Sequence, residues 1–544
     1  MTGNVDVLLI GIDAGCLPVF ERLYEDDVIP NIQSICEEGA AAPLESQIPP
    51  WTPSAWPSMY TGVNPGKHGV CGFVTYDGYD FRVVSGTDVE ELSLWSLLDQ
   101  HEKSSVVVNV PVTHPPEEFD GALIPGFIGP ENPKCHPEGL LDEVRDAIGE
   151  YKVYPSYARD DSTFSDAQKM EEYTSLVRMR GEAFRYLADK HEPDFGFVQF
   201  QKPDTVFHEF EGDWDKVRTV YEETDRQIGK VLEACDPNTV FIASDHGMGP
   251  YDKYEFRVNE FLRDEGYVKS RKGGKGMPSW NPIQEELRSG KDTRTWEPNT
   301  LERAAATVAR FGLTASKIRA GLEKVGLAEI AKQYAPKNVA RTANEQVDFP
   351  KSTAYMRART ELGVRINLEG RDPAGVVPQE NYDEVRDELI EKLSAVRTPD
   401  DEPVFGEVAP REKYFHGKNA DNAPDIVTIP NDMGHFLSAQ LLGDYFAPPT
   451  EPWNHKMDGI VAAKGAGIDV DAMPARAHLF DVAPTIMSAL GVPYSDRMDG
   501  TVIPVVPDVG SETYPEYDEQ AEAAVSDQEE ADVEERLADL GYMQ

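Results

Sequence analysis

The chain has 544 residues, of which 40% are apolar, and a formal charge of −45 from 97 acidic against 52 basic side chains. That length allows one large domain with insertions or two domains. Acid spread along the whole chain excludes an electrostatic nucleic-acid surface and reads as adaptation to a salt-rich cytoplasm, where screening mutes self-repulsion.

The opening "MTGNVDVLLIGIDAG" has no basic leader, and its apolar run is a strand's length rather than that of a signal core. No run approaches the roughly 20 apolar residues of a membrane span. Five scattered cysteines without a CxxC spacing read as reduced thiols. A cytoplasmic protein with no transmembrane segment is expected.

In chain order, "VDVLLIGID" reads as a buried strand ending at Asp13. Continuous apolar runs of this kind suit a parallel sheet covered on both faces. The stretch "IPPWTPSAWPSMYTGVNPGKHGV", residues 48–70, crowds prolines, tryptophans and hydroxyls into a span too broken for a helix. Strands follow at "SSVVVNVP", "DFGFVQF" and "NTVFIASDHG", with a helical pattern in "DKVRTVYEETDRQIGKVLEA" before the last. This strand-then-helix rhythm predicts a three-layer α/β/α sandwich around a mostly parallel sheet, with functional residues at strand ends.

Residues 267–350 differ, holding 15 Lys and Arg against 9 Asp and Glu, with helical periodicity through "NTLERAAATVARFGLTASKIRAGLEKVGLAEIAKQY". They predict a basic helical cap that either pairs with the acidic body or meets an anionic substrate or surface. The strand-and-helix pattern resumes in "GVRINLEG", "DEVRDELIEKLSAV", "APDIVTIP" and "DGIVAAKGAG". The expected core is therefore discontinuous, 1–266 and 351–505. The tail 506–544 is acidic, with a short helix at "DVEERLADLGYM".

Four places carry candidate chemistry. Asp245 and His246 of "SDHGMG" end a strand and join a hard oxygen to an imidazole, a pairing that suits Zn²⁺ or Mn²⁺. Asp204 and His208 stand four apart in "QKPDTVFHEF", on one face of a helical turn. Asp13 is a carboxylate at a buried strand end, where it needs a partner. His455 lies in "EPWNHKMDG". Singly, each also reads as an ordinary cap or turn residue. Together they supply three carboxylates and three imidazoles, the inventory of a two-metal site one ligand short, which a hydroxyl can fill.

The order of Asp13, "TPSAWPSMYTG…PGKHG", "PDTVFH", "SDHGMGP" and "NHKMDG" resembles the alkaline phosphatase superfamily. Within it the chain resembles the type I phosphodiesterase/nucleotide pyrophosphatase branch. More narrowly, "VNEFLRDEGYV", "INLEGRDP", "LFDVAPTIMSALGVP" and "ERLADLGYM" resemble a group of archaeal and bacterial phosphohydrolases or phosphomutases. The resemblance implies an alkaline-phosphatase-like fold and a nucleophile at Thr52. It implies one metal on Asp13, Thr52, Asp245 and His246, and a second on Asp204, His208 and His455. A hydroxyl coordinated to a divalent cation becomes a competent nucleophile, and two cations about 3.5–4 Å apart clamp an in-line displacement. The implied course is attack by Thr52, a phosphothreonine, and hydrolysis of a small phosphoester. Lys202 and Arg371 are read either as phosphate-side cations or as surface salt-bridge partners.

Three departures narrow the reading. "TPSAW" has neither the Cys nor the Arg of a sulfatase, and "GVNPGKHG" is too short for a P-loop. Nucleotide pyrophosphatases carry an Asn shortly after the "HG"; this chain has "HGVCGF", with Gly72 and Phe73. A nucleotide pyrophosphatase, a phosphomutase and an inactive metal-binding protein stand as alternatives.

Overall fold

The structure is a computed structural model that describes residues 5–157, 163–272 and 345–515. Its first strand, β1 (Val7–Ile12), is buried at all six positions. Among the elements that follow, those that build the sheet and the site are β2 (Ala40–Glu45), α1 (Thr52–Thr61), α2 (Pro65–His68), β3 (Ser105–Val108) and β4 (Gly121–Ile124). Then come α3 (Asp166–His191), β5 (Phe195–Phe200), α4 (Lys202–Phe210), α5 (Trp214–Cys235), β6 (Thr239–Ala243) and β7 (Gly247–Pro250). Late in the chain lie β8 (Trp453–Lys456), β9 (Asp458–Gly465) and β10 (Ala477–His478).

Eight of these strands form the central sheet, in the order β10-β2-β9-β6-β1-β5-β3-β4. β9 runs antiparallel to β2 and β6, and the other neighbours are parallel. Alternation along β1 makes the layers. Leu8, Ile10 and Ile12 pack with Leu176 and Phe184 of α3 and Tyr221 and Ile228 of α5. Val7 and Leu9 face the other way, toward Trp56, Met59 and Tyr60 of α1. The expected three-layer α/β/α sandwich is what forms.

Residues 48–70 correct the sequence reading, because they contain two helices. Pro53 sits in the first turn of α1, where a missing N–H costs nothing. Pro57 does lie inside the helix, yet all ten residues are buried, and that packing outweighs the lost bond. Gly62 closes the helix at φ +71, a left-handed conformation that glycine adopts without strain.

A smaller apolar core lies apart from the sheet, built on the strands Ala354–Tyr355, Gly363–Ile366, Ile426–Pro430 and Phe405–Pro410. "GVRINLEG" and "APDIVTIP" therefore form this second sheet, whereas "DGIVAAKGAG" is β9 of the central one. The described ends of the basic segment pair antiparallel, Ser270–Lys272 against Glu345–Val347. The expected cap helices and the helix of the acidic tail lie outside the described residues.

Candidate metal centre

Strand register brings the distant candidates to one edge of the sheet. Ile12 pairs with Phe200, and Gly11 pairs with Ala243. Asp13, Lys202 and Asp245 thus follow three adjacent parallel strands at their carboxyl ends, where a doubly wound sheet exposes functional groups. α4 opens at Lys202, so Asp204 and His208 rise one turn apart from the same edge. β8 pairs with β7 in the register His455↔Met248, which returns His455 beside His246.

Two clusters result, Asp13–Asp245–His246 and Asp204–His208–His455, each with its ligand atoms within 4.8 Å of one another. They share a wall: the His246 and His455 rings stack at 3.6 Å and 14°. In the first cluster His246 Nε2 lies 3.5 Å from Asp13 Oδ1 and 3.2 Å from Asp245 Oδ2. In the second, Asp204 Oδ1 lies 3.2 Å from His208 Nε2 and 3.4 Å from His455 Nε2. Thr52, at the first position of α1, holds its Oγ1 3.4 Å from His246 Nε2.

The surrounding hydrogen bonds aim these groups. His246 Nδ1 donates to the Gly247 carbonyl at 3.0 Å, and His455 Nδ1 donates to the Pro50 carbonyl at 2.7 Å. A carbonyl only accepts, so each Nδ1 carries the proton and each Nε2 presents a lone pair. His208 Nδ1 instead faces the Glu451 carboxylate at 3.8 Å. Glu451 is held by Arg359 Nη1 at 2.9 Å and Asn454 Nδ2 at 3.0 Å. Asp13 Oδ2 accepts from Gln199 Nε2 at 2.8 Å and from Trp56 Nε1 at 3.4 Å. Gly11 admits that indole, since a Cβ there would meet the Trp56 ring at 2.7 Å.

The donor set fits divalent cations. Asp13 Oδ1 and Asp245 Oδ2 are buried and, among the described residues, accept no hydrogen bond, a state that costs free energy unless a cation fills it. Burial, and then the charges of neighbouring carboxylates, push both carboxyls well above the usual range. Burial would also raise Asp204, but the His208 and His455 imidazoles hold it well below. Burial, then His455, pushes His246 well down, toward the neutral form that ligates metal. Three imidazoles with three carboxylates is a mixed N/O set of the kind that takes zinc or manganese.

A cavity of about 120 Å³ opens beside Thr52, lined by Lys202, Asp204, His208 and His455 and walled by aromatic rings. Lys202 is 5% exposed; its ammonium donates to Gln201 Oε1 at 3.0 Å. Burial, and then the Arg180 charge, push it down to about 7 against the pull of Asp204, Asp13 and Glu209. Phe73 lines the same cavity, an apolar ring where an amide was sought. Arg371 does not join the group. Its guanidinium clasps Asp425 at 2.6 and 2.9 Å in the second sheet.

Sequence reasoning missed the groups that aim the ligands. Gln199 left one trace, as a polar residue inside the apolar run "DFGFVQF". Trp56 was visible but had no assigned partner. Glu451 had no sequence signal.

The profile of the type I phosphodiesterase / nucleotide pyrophosphatase family matches residues 7–460. No curated protein sequence matches the chain. Among solved structures, the wild-type alkaline phosphatase PafA superposes with a TM-score of 0.50 at 15% identity, covering 93% of this chain and 99% of that one. Phosphonoacetate hydrolase from Sinorhizobium meliloti 1021, bound to phosphonoformate, gives 0.49 at 14% identity, with 90% and 96% covered. Murine ectonucleotide pyrophosphatase / phosphodiesterase 5 gives 0.46 at 12% identity, with 90% and 95% covered. The PafA likeness carries the alkaline-phosphatase-like fold, and the family match, which spans most of the sequence, decides membership: the chain belongs to the type I phosphodiesterase / nucleotide pyrophosphatase family.

Proposed function

We propose that the protein is a metal-dependent hydrolase of phosphoric esters in which Thr52 is the nucleophile. The observation that carries this reading is Thr52 Oγ1 at 3.4 Å from His246 Nε2, beside the Asp13–Asp245–His246 cluster and at the start of a buried helix. Asp13, Thr52, Asp245 and His246 would hold one divalent cation, and Asp204, His208 and His455 a second. Bound there, such ions lower the pKa of a coordinated hydroxyl and neutralise charge on phosphoryl oxygens. Zn²⁺ is the first choice for three imidazoles and Mn²⁺ the second.

The chain's own residues supply the rest. Thr52 Oγ attacks phosphorus, the bond from phosphorus to the ester oxygen breaks, and the hydroxyl proton ends on the departing alcohol. Water then cleaves the phosphothreonine, releasing phosphate from a monoester or a phosphomonoester from a diester, and restoring the Thr52 hydroxyl. The amino end of α1 favours the negative charge that develops at Thr52. Gln199 and Trp56 keep Asp13 turned, and the Gly247 and Pro50 carbonyls fix the imidazole tautomers.

A net chain charge of −45 supports work at high salt, and free cysteines support a reducing cytoplasm. The test is a screen of metal-analysed protein in high salt against phosphomonoesters, phosphodiesters, nucleotides and phosphonates. Wild type turns over at least one phosphoester class, and Thr52→Ala turns over none while keeping its metal. Unchanged turnover by Thr52→Ala would end this reading.

A further inference from the structure

Among the described residues, the nucleophile's cavity holds two cationic side chains besides its histidines, and they differ in one respect. Arg359 is already paired with Glu451 at 2.9 Å. Lys202 is nearly sealed from solvent, and among the described residues no carboxylate lies within 4.0 Å of its ammonium. Its contacts are the Gln201 amide at 3.0 Å and the face of Tyr173, whose centroid is 5.3 Å away. A buried ammonium with such weak partners is costly unless an anion comes to it.

Charge balance states which anion. With Thr52 counted as its neutral alcohol, whose proton leaves with the departing alcohol, Asp13, Asp204 and Asp245 carry three negative charges, and two divalent cations would leave one positive charge in surplus. The Lys202 ammonium raises the surplus to two. A phosphodiester brings one negative charge and leaves the site unbalanced, whereas the dianion of a phosphomonoester matches it. The wall beyond is apolar: Phe127, Tyr154, Tyr157 and Tyr173 line the cavity with Trp51 and Phe73. Such rings suit a flat or apolar alcohol.

We propose that Lys202 is a specificity-determining residue that pairs with the second negative charge of the phosphoryl group, so that the substrate is a phosphomonoester of an apolar alcohol. This rests on the site reading above. It differs from the diester activity in the family's name, and it assigns the selective contact to a residue of α4 that also carries two metal ligands.

The test measures binding, apart from turnover. Metal-loaded Thr52→Ala protein, with its metal content measured, is titrated calorimetrically with phenyl phosphate and with diphenyl phosphate. The same titrations are run with Lys202→Met and Lys202→Arg added. Lys202→Met weakens phenyl phosphate binding by about tenfold or more, the loss expected for one charge-assisted hydrogen bond. It changes diphenyl phosphate binding by less than about twofold, and Lys202→Arg recovers most of the loss. Equal losses for the two esters, or no loss, overturn the proposal. Matched thermal unfolding of the variants separates a local effect from misfolding. If wild type hydrolyses no ester while the Lys202-dependent difference in binding persists, the hydrolase reading fails and Lys202 stands as the residue that selects a phosphomonoester as ligand.

Discussion

His208 and His455 hold their Nε2 atoms 3.0 Å apart, with Asp204 Oδ1 3.2 and 3.4 Å from them. The Pro50 carbonyl fixes the His455 proton on Nδ1, so its Nε2 is a lone pair aimed at a second imidazole and a carboxylate. Three donor atoms converging on one point make a set that one shared cation would fill. His455→Ala is expected to lose one bound ion per chain and keep the other, and Asp13→Asn to do the reverse. Elemental analysis after gel filtration checks both. A variant that retains the wild-type metal content would show that its residue is not a ligand.

Glu451 meets His208 from behind, and Arg359 anchors Glu451 from the loop between two strands of the second sheet. A carboxylate behind a ligating imidazole fixes its ring and strengthens its donation. Glu451→Gln is expected to weaken one ion's affinity by about tenfold and leave the other's unchanged. Competition against a chromophoric chelator reads the two constants separately. A uniform loss at both ions would make the effect a general loosening.

Arg371 separates a substrate role from a structural one. Its bidentate grip on Asp425, which is fully buried, makes it a brace of the second sheet. Removing it leaves the buried Asp425 carboxylate with one cation within 4.0 Å among the described residues, Arg411 Nη1 at 3.2 Å. Arg371→Met is therefore expected to destabilise the fold by about 3 kcal/mol. The KM of the protein that remains folded should not change. Urea unfolding and steady-state kinetics on the same preparation decide it; a raised KM at unchanged stability would return Arg371 to the substrate.

His68 gives a pH signature away from the candidate metal centre. The Val70 backbone N–H donates to its Nδ1 at 3.2 Å, so its Nε2 carries the proton and donates to Ser58 Oγ at 2.9 Å. Burial pushes its pKa from 6.5 down to about 3. The unfolded chain therefore binds a proton before the folded one as pH falls. The stability His68 contributes is complete above about 6.5 and drains away as pH falls toward 3. His68→Gln keeps a hydrogen-bonding group without the titration. The stability gap between wild type and this variant should narrow from pH 7 to pH 4, measured by denaturant unfolding at each pH. A constant gap would mean that His68 does not titrate on unfolding.

The parts of the site that were legible in sequence are those where local pattern and position coincide. Asp13 and the Asp245–His246 pair follow apolar runs, and parallel strands must place such ends on one edge. Asp204 and His208 needed only helical spacing. Residues 48–70 misled because proline counts describe an isolated segment, whereas α1 is stabilised by complete burial beneath the sheet. The same packing explains that stretch's special residues: Trp56 reaches Asp13, Pro50 orients His455, and Ser58 receives His68. Glu451 was illegible because its role depends on a ring brought from α4, more than 200 residues earlier.

The central claim is that a phosphoryl group passes through Thr52. The direct measurement is acid quenching of the metal-loaded enzyme during turnover of a phosphoester, followed by peptide mass spectrometry of the segment that contains Thr52. The account predicts a phosphoryl adduct on Thr52 that forms within the first turnover and is absent from Thr52→Ala. Turnover at the wild-type rate by Thr52→Ala, or an adduct on another residue, would contradict it.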